Sequence, residues 1–569
     1  MNIVKKVVNS LKNDGIKGFA KKLNKYFNNE EKKEYYSWIK QNTPSKKELK
    51  EQRNYEFEKK PKISIVIPLY NTPKKYMLEL IKSVQNQTYS NWELCLADGS
   101  TQPLEYLKKV VEKDKRIKYK VLKENKGISG NTDEALKLVT GDWVALLDHD
   151  DLIPVNSLFE IVKAINENPN AEYIFTDEDK FIDINKKTRY EPNFKPDYSF
   201  DTFTSYNYIC HFSIFKKNLM DKLKGFNTEF DGSQDYDLIL RAVENAKQVV
   251  HIPKILYHWR VHQSSTAGNA EAKPYCFEAG KNAVQAHLKR KGLTQGKMEF
   301  GVAIVRNRAI YEIKENSKVT IFLYIQDERI DLKKLNEDIN QITYQNYEII
   351  ILTPRPIEIK NEKIKDIIII EQNKVITKLN ELSKQTDSKQ IIFAKDIQDI
   401  KTKDFIEQLL GFIQRGDVGV ISPRIIYKYT SSQYNGTVYG IDKEKSGYLD
   451  YIDVAGSFGY ITRGAVVQNY SIIKSECVMI NKKDLEEVGY LSEKMDYSDA
   501  LADLSFTLFK KHNKLNVINP HIELECLEIT PRSKENKFYK KWEKELQKPD
   551  PNYNVNLRFE KDKIFTVKS

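Results

Sequence analysis

Three carboxylates within four residues follow an apolar run in the segment GDWVALLDHDDLIP at 141–154. Residues 143–147 have the pattern of a buried strand, and Asp148, Asp150 and Asp151 come directly after it. Like charges this close repel one another, so a cation is expected to join them. An Asp-x-Asp pair supplies the oxygen ligands of Mn²⁺ or Mg²⁺, and such a cation would neutralise a diphosphate. The alternative is helix capping, which needs one acid rather than three.

Two further polar segments follow later in the chain. The segment GSQDYDLILRA at 232–242 puts Asp235 and Asp237 at the start of an apolar helix. Acids at that position also cap a helix and offset its dipole, a contribution of ~1 kcal/mol. The segment at 251–267 combines histidines with an arginine suited to a phosphate group: His251, His258, His262 and Arg260. A single histidine is more often structural, but this clustering favours a site.

The elements that must position these residues alternate between strand and helix. Five buried-strand patterns occur in the first third of the chain: 63–67, 92–97, 116–122, 143–147 and 173–176. Helical apolar spacing between them, as at 155–165, predicts an α/β fold with a mostly parallel sheet and helices on both faces. Ligands of such sheets bind beyond the carboxyl ends of the strands. We therefore expect the segment 68–71, Asp98 and the acids after residue 147 to form one crevice.

The chain then repeats itself. Three segments return in the same order roughly 250 residues later: 63–71 as 319–327, 87–98 as 342–353, and 125–153 as 373–400. The repeat predicts two tandem copies of one fold, with a boundary in the polar stretch near residue 310. The predicted organisation is an N-terminal helical arm and two domains: 1–60, 61–310 and 311–569.

The first copy resembles a family 2 glycosyltransferase with the GT-A fold, a Rossmann-like α/β fold. The resemblance spans residues 61–290 and depends on six motifs in order: SIVIPLYN, SVQNQTYSNWEL, NKGISGNTDEAL, DHDD, GSQDYDLILR and YHWRVHQSS. Each motif is degenerate alone, and the set is specific together. The family fold implies a nucleotide-sugar donor, UDP- or dTDP-linked, and a Mn²⁺ or Mg²⁺ cofactor.

The resemblance also implies a role for each polar group. The donor side comprises Pro68, Tyr70, Asn71, Asp98, Asp148 and Arg260, with Asp98 accepting from the pyrimidine base. The metal–diphosphate is held by Asp148 and Asp150, the latter more directly, and His258 or His262 completes the metal site. Asp235 is the implied base that deprotonates the acceptor hydroxyl, with inversion at the anomeric carbon. Gln234 departs from the family pattern, which has a glutamate before the base.

The second copy has lost most of these groups. Tyr324 corresponds to Pro68 and Thr353 to Asp98, while Asp148 falls on Lys395 or Ala394, depending on the position of a gap. One candidate base remains at Asp503, and the matching segment NPHIELECLE has lost the counterparts of both His258 and His262. The C-terminal half otherwise resembles the rhamnosyltransferase-like branch of the family. We expect a degenerate copy that helps to position the acceptor or a dimer.

Composition limits the class of protein. Charged residues make up 30% and apolar residues 40% of the 569 residues, as expected for a folded chain of more than one domain. The five cysteines form no CxxC pair, which predicts reduced thiols and a cytoplasmic protein. The sequence has no apolar run of the ~18 residues that a membrane span needs, and no signal-peptide pattern.

Half of the net charge of +12 lies in the arm, where residues 1–25 contain seven lysines and one acid, Asp14. Apolar residues recur there at helical spacing. A basic amphipathic helix binds anionic membrane surfaces, so residues 1–27 are expected to contact the inner face of the cell membrane. The alternative is a helix packed on its own domain. Outside the arm acids accompany the lysines, so no nucleic-acid partner is expected.

These features predict an inverting, metal-dependent glycosyltransferase whose acceptor is a hydroxyl of a cell-surface polysaccharide or a lipid-linked glycan precursor. Two alternatives stay open: both domains are active, or the chain is a non-catalytic carbohydrate-binding scaffold. A sugar nucleotidyltransferase would need a glycine-rich basic loop after the first strand, and PLYNTPKK has no glycine. Both a monomer and an oligomer are compatible with the sequence.

Overall fold

The structure is a computed structural model, and the residues that it describes are 29–183, 188–262, 274–293, 296–301, 306–440, 447–530, 535–560 and 564–568. Residues 1–27, the predicted membrane-binding segment, lie outside this set, so that expectation stays a prediction. Within the described residues, no helix combines the length and the hydropathy needed to cross a bilayer.

The first half of the chain forms one large sheet flanked by helices, followed by a short hairpin. Its elements are α1 (Asn29–Asn42), α2 (Lys46–Arg53), β1 (Ile63–Leu69), α3 (Lys74–Gln85), β2 (Trp92–Asp98), α4 (Tyr106–Lys113), β3 (Ile117–Val121), α5 (Gly127–Leu136), β4 (Trp143–Leu146), α6 (Ser157–Glu167), β5 (Tyr173–Ile182), β6 (Thr188–Asn193), α7 (Phe200–Ser205), β7 (Ser213–Lys216), α8 (Lys217–Leu223), α9 (Gln234–Asn245), β8 (Val249–Arg260), α10 (Pro274–Arg290), β9 (Lys297–Phe300) and β10 (Asn307–Ile310). β1 is buried along nearly its whole length because helices cover both faces of the sheet.

The strand order of the first sheet is β3-β2-β1-β4-β7-β5-β6, with β8 beside β5. The first four strands in the chain are parallel, as predicted from the alternation of strand and helix. β7 instead runs antiparallel between β4 and β5. The sheet is therefore mostly parallel, as predicted, with β6 and β7 as its antiparallel strands. β7 is antiparallel because a later segment enters the sheet between two strands that follow one another in the sequence.

The second half forms a sheet of the same design. Its elements are β11 (Val319–Tyr324), α11 (Leu332–Ile339), β12 (Tyr347–Thr353), β13 (Ile364–Ile369), α12 (Val375–Gln385), β14 (Gln390–Lys395), β15 (Ile397–Ile400), α13 (Phe405–Ile413), β16 (Val418–Tyr427), β17 (Ser432–Tyr439), β18 (Tyr448–Val454), β19 (Gln468–Tyr470), β20 (Cys477–Asn481), α14 (Lys482–Glu487), α15 (Tyr497–His512), β21 (Leu515–Cys526) and α16 (Lys537–Leu546). The order β13-β12-β11-β14-β20-β16-β17 repeats the first sheet strand for strand. The predicted α/β fold in two copies is confirmed.

Buried polar contacts join the two halves. Arg415, just before β16, forms an ion pair with Asp201 of α7, and both side chains are about 1% exposed. Asn469 of β19 donates a hydrogen bond of 2.8 Å to the same carboxylate. Near the C-terminus, the Asn554 side chain donates to the Asp177 carboxylate at 2.9 Å. The second half is therefore fixed to the first by specific hydrogen bonds as well as by apolar packing.

Replacing Asp201 with alanine is expected to lower the free energy of unfolding by about 3–5 kcal/mol, because it leaves the Arg415 guanidinium buried without this partner. Asp417→Ala is the matched control: it removes the other carboxylate on Arg415, at 2.9 Å, whose side chain is 51% exposed. The control should cost less than about 1 kcal/mol. Urea unfolding of both variants measures the difference, and equal losses would contradict the proposed importance of the buried pair.

Candidate active site

The loops after β1 and β2 are tied together at the edge of the sheet. The Asn71 backbone N–H donates to Ser100 Oγ at 2.8 Å, and Asn71 Oδ1 accepts from the Thr101 backbone N–H at 3.1 Å. Asn71 has a φ of +50°, a left-handed conformation that asparagine tolerates better than most residues. Tyr70 beside it is exposed. This turn places the predicted nucleotide-binding residues over the end of β2.

Asp98 ends β2, and its carboxylate is buried. It accepts hydrogen bonds from the Tyr119 hydroxyl at 2.5 Å, the Leu104 backbone N–H at 2.9 Å and the Ser100 backbone N–H at 3.0 Å. These donors fix the orientation of the carboxylate at the crevice. The predicted contact with the pyrimidine base of the donor therefore involves an acid that hydrogen bonds from its own loop already hold in place.

The three acids after β4 lie in different surroundings. Asp151 is buried and accepts from the Tyr257 hydroxyl at 2.5 Å and the Arg260 backbone N–H at 2.6 Å. Burial raises the pKa of Asp151 well above its usual value, and the charges of Asp150 and Asp148 raise it further. The Asp148 side chain is 46% exposed, and its carboxylate accepts no hydrogen bond from the described residues. Asp151 therefore anchors the loop, whereas Asp148 is accessible.

Arg260 holds this loop from the end of β8. Its buried guanidinium lies 2.5 Å from the Asp183 carboxylate and 2.8 Å from that of Glu79. Its Nε donates to the backbone carbonyl of Asp150 at 2.5 Å, and the Tyr76 ring lies 4.3 Å from the cation. With these donors engaged, the geometry favours a role for Arg260 in positioning the acidic loop over the direct diphosphate contact expected from the sequence.

The two histidines left open as metal ligands differ in their contacts. His262 Nε2 lies 2.7 Å from Asp150 Oδ2. Burial raises the pKa of Asp150, but the hydrogen bond from His262 and the positive charges of His149 and His262 lower it more, so the net shift is downward. His258 Nδ1 instead lies 2.5 Å from Asp179, a fully buried acid. Of these two histidines, His262 is thus the one that contacts the Asp-x-Asp pair.

His211 is a site residue that the sequence analysis missed. β7 pairs antiparallel with β4, and extending their register beyond the end of β4 brings His211 opposite Asp148. His211 Nε2 lies 3.7 Å from Asp148 Oδ2, and its ring stacks on Tyr257 with centroids 4.5 Å apart. Candidate ligand atoms of Asp148, Asp151 and His211 all lie within 4.8 Å of one another. Only the antiparallel pairing of β7 places this imidazole at the crevice.

Asp235 lies in the first turn of α9, where the Asn207 side-chain amide donates to its carboxylate at 2.9 Å. Burial raises the pKa of Asp235, and the nearby His211 imidazole offsets only part of that effect. A small cavity of about 40 Å³ has Asp235, Asp148, His211 and Pro68 among its lining residues. A partly buried carboxylate with a raised pKa at such a cavity is suited to accept a proton.

The groups at the end of β4 fit a hard divalent cation. Carboxylate oxygens with one imidazole form a ligand set that suits Mn²⁺, and the accessible Asp148 carboxylate has the negative charge to attract it. His149 Nδ1, in the same loop, is buried and has no hydrogen-bond partner in the described structure. Asp148 and His211, with Asp150 and His262 adjoining, are the residues that would hold the ion.

The corresponding position in the second half has changed in charge. The registers of β1 with β4 and of β11 with β14 place Lys395 at the position of Asp148, which decides between Lys395 and Ala394. The antiparallel neighbours place Glu476 where the first half has His211. A lysine at the position of the accessible acid would repel a cation, so this crevice lacks the features of the first.

The candidate base of the second half is also engaged. Asp503 of α15 accepts from Trp542 Nε1 at 2.7 Å and from Lys541 Nζ at 2.8 Å. Both donors belong to α16, which packs on α15. An acid with a cation and an indole N–H bound to it is poorly placed to remove a proton from an acceptor.

Comparison with known proteins adds an independent finding on the first half. Residues 64–224 match the family model described as Glycosyl transferase family 2. This part of the chain belongs to glycosyltransferase family 2. The family 2 region starts in β1 and includes Asp98 and the acids after β4, whereas Asp235 and His262 lie beyond the matched residues.

Two relatives extend over most of the chain. One is the uncharacterized protein y4gI of Sinorhizobium fredii, which is 30% identical over 88% of this chain and 58% of its own length. The other is the O-antigen biosynthesis protein RfbC of Myxococcus xanthus, 24% identical over 84% of this chain and 38% of its own. The chain thus spans about half the length of these relatives, or less. Among solved structures, S. aureus TarS 1-349 in complex with UDP-GlcNAc aligns with 40% of this chain and 66% of its own at 19% identity, with a TM-score of 0.34.

Proposed function

We propose that the first half is a metal-dependent, inverting glycosyltransferase that moves a sugar from a nucleotide-sugar donor to a hydroxyl of a surface glycan or its lipid-linked precursor. One observation carries the proposal: an accessible acid, an imidazole and a partly buried acid with a raised pKa line the same small cavity at the carboxyl end of the sheet. Membership of family 2 and the name of the RfbC relative support the class of reaction and of acceptor.

In the proposed reaction, Asp235 accepts the proton of the acceptor hydroxyl as that oxygen forms a bond to the anomeric carbon. The bond from that carbon to the nucleoside diphosphate breaks at the same time, which inverts the configuration. A bound divalent cation supplies positive charge that stabilises the departing diphosphate. Asp148, Asp150, His211 and His262 would hold the ion, while Asp98 and the turn at residues 70–71 orient the nucleotide.

We propose a supporting, non-catalytic role for the second half. Lys395 and the engaged Asp503 carboxylate favour this role over a bifunctional enzyme. The proposed domain boundaries remain 1–60, 61–310 and 311–569. A non-catalytic scaffold is the second candidate for the whole chain. The acids after β4 argue against it, because they repel one another and Asp148 is accessible to a cation.

The proposed site of action is the cytoplasmic face of the membrane, reached through the basic segment 1–27. Deleting residues 1–27 is expected to release the protein from anionic vesicles, because each lysine near such a surface contributes about 1 kcal/mol of binding. Co-sedimentation with phosphatidylserine vesicles measures the change, and neutral phosphatidylcholine vesicles are the control. Unchanged co-sedimentation would favour a helix packed on its own domain.

A panel of nucleotide sugars tests the proposed activity. The expected result is release of UDP or dTDP from at least one donor, dependent on Mn²⁺ or Mg²⁺ and stopped by a chelator. Release from several donors in the presence of the chelator, or from none of them with the ion present, would contradict the proposal. The panel also identifies the donor sugar, since pocket contacts rather than a local motif set that choice.

A further inference from the structure

A second, much larger cavity of about 910 Å³ reaches Asp235. Asp235 and Cys210 belong to the walls of both this cavity and the small one, so the two spaces meet at the proposed base. Asp148 and His211 line only the small cavity. The large cavity is therefore the space from which an acceptor hydroxyl can reach Asp235 without passing the acidic loop.

Three separate parts of the chain build the walls of this large cavity. α1 contributes Tyr35 and Tyr36, the first sheet contributes residues such as Trp259, and the second half contributes Tyr460 and Phe565. The Tyr460 hydroxyl is tied to the first half, since it donates to the Pro192 carbonyl at 3.0 Å and accepts from the Phe194 backbone N–H at 3.1 Å. The second half thus contributes one wall of this cavity.

The lining combines aromatic rings with polar groups. Tyr206 and Trp259 are among its aromatic residues, and Asn193, Asn207, Lys180, Glu191 and Arg306 are among its polar ones. A hydrocarbon chain would remove water from the charged groups of this lining without offering them a polar contact, which is unfavourable. A sugar ring has an apolar face for the aromatic rings and hydroxyls for the polar side chains. Small-molecule sites measure about 300–1,000 Å³, so this cavity is at the upper end and has room for more than one ring.

We infer that the large cavity binds an oligosaccharide segment of the acceptor, at least two sugar rings long, and that the second half supplies the wall which selects it. The inference rests on the proposed transferase activity of the first half. It gives the degenerate copy a defined role: it recognises the acceptor glycan whose hydroxyl reaches Asp235. The length of the acceptor, rather than its terminal sugar alone, then determines transfer.

Val567→Trp tests the inference by adding bulk to the wall that the second half contributes. Val454→Trp is the matched control, since Val454 also belongs to the second half, is 68% exposed and does not line the cavity. Ile461→Trp repeats the test at an independent position, and thermal unfolding identifies any variant that fails to fold. The probes are p-nitrophenyl mono-, di- and trisaccharides with the donor found in the nucleotide-sugar panel.

The measured quantity is the ratio of nucleotide release with acceptor to release without it. In the wild type, the ratio should be about tenfold larger for the best di- or trisaccharide than for monosaccharides. With that longer saccharide, the ratio should be about tenfold smaller in Val567→Trp and Ile461→Trp than in Val454→Trp. The inference is overturned if monosaccharides and longer glycans give equal ratios. It is also overturned if Val567→Trp and Ile461→Trp give the same ratio as the control, Val454→Trp.

Saturation-transfer NMR of the same saccharides separates this inference from the proposed activity. Trisaccharide binding to the wild type that weakens in Val567→Trp supports the cavity even if no donor is turned over, in which case only the transferase proposal fails. Absence of saccharide binding to a protein that releases nucleotide overturns the cavity assignment and leaves the transferase proposal standing.

Discussion

Asp235→Asn is expected to lower the rate of sugar transfer about 10²–10⁴-fold while donor affinity stays unchanged. The substitution keeps the size of the side chain and removes the carboxylate that accepts the proton. Asp235 is partly buried at the junction of the two cavities and its pKa is raised, which suits a general base. Transfer kinetics with a saturating acceptor, and calorimetry with UDP or dTDP, measure the two quantities.

The pH profile adds a second readout for Asp235. Asp235 must be ionised to accept a proton, and its pKa is raised. The acid-side fall of kcat/KM should therefore occur at a pH above the ordinary aspartate pKa of about 3.9. This acid limb should disappear in Asp235→Asn. Glu229→Gln, an exposed acid just before α9, is the control and should keep wild-type kinetics. Normal turnover by Asp235→Asn would show that another group removes the proton.

Asp148→Ala is expected to lower the rate of metal-dependent nucleotide release about 10²–10³-fold or more. This factor corresponds to the loss of several kcal/mol of transition-state stabilisation. Its carboxylate is the accessible acid of the loop and lies 3.7 Å from His211. The substitution removes a predicted metal ligand and leaves Asp151, which anchors the loop, in place. Release of UDP or dTDP across a Mn²⁺ titration measures the effect.

Asp150→Ala and Asp221→Ala complete that test. Asp150 contacts His262 at 2.7 Å, so its loss should raise the Mn²⁺ concentration needed for half-maximal release. Asp221 is an exposed acid on α8, 57% accessible, and its loss should change neither rate nor metal dependence. Full activity of Asp148→Ala at every Mn²⁺ concentration would contradict the assignment of the cation to this loop.

Much of the fold could be predicted because apolar strand patterns alternate with helical ones in the first half and return in the same order in the second. Buried runs such as 63–67 and 92–97 form parallel strands, and their polar successors meet at one edge of the sheet. The return of these segments in the second half predicted a second sheet, and its strand order confirms it. The register of that sheet then decided what an alignment left open, placing Lys395 at the position of Asp148.

The sequence did not predict His211 and gave Arg260 a different role for the same reason: the contacts of both residues depend on pairings between distant segments. His211 reaches Asp148 because β7 enters the sheet antiparallel, and no local pattern around residue 211 encodes that neighbour. Arg260 has the right chemistry for a phosphate, but Glu79 and Asp183, far away in sequence, already bind it. A sequence shows which side chains carry charge, whereas only the packed structure shows which charges are already compensated.

A crystal structure of the protein with Mn²⁺ and UDP, with data collected at the manganese absorption edge, tests the central claim most directly. We expect an anomalous peak between the nucleotide phosphates and the acidic loop after β4, with Asp148 or Asp150 among the ligands at about 2.0–2.2 Å, as is usual for a hard divalent ion. UDP bound elsewhere, or a crevice whose carboxylates contact only protein groups at saturating Mn²⁺, would contradict it.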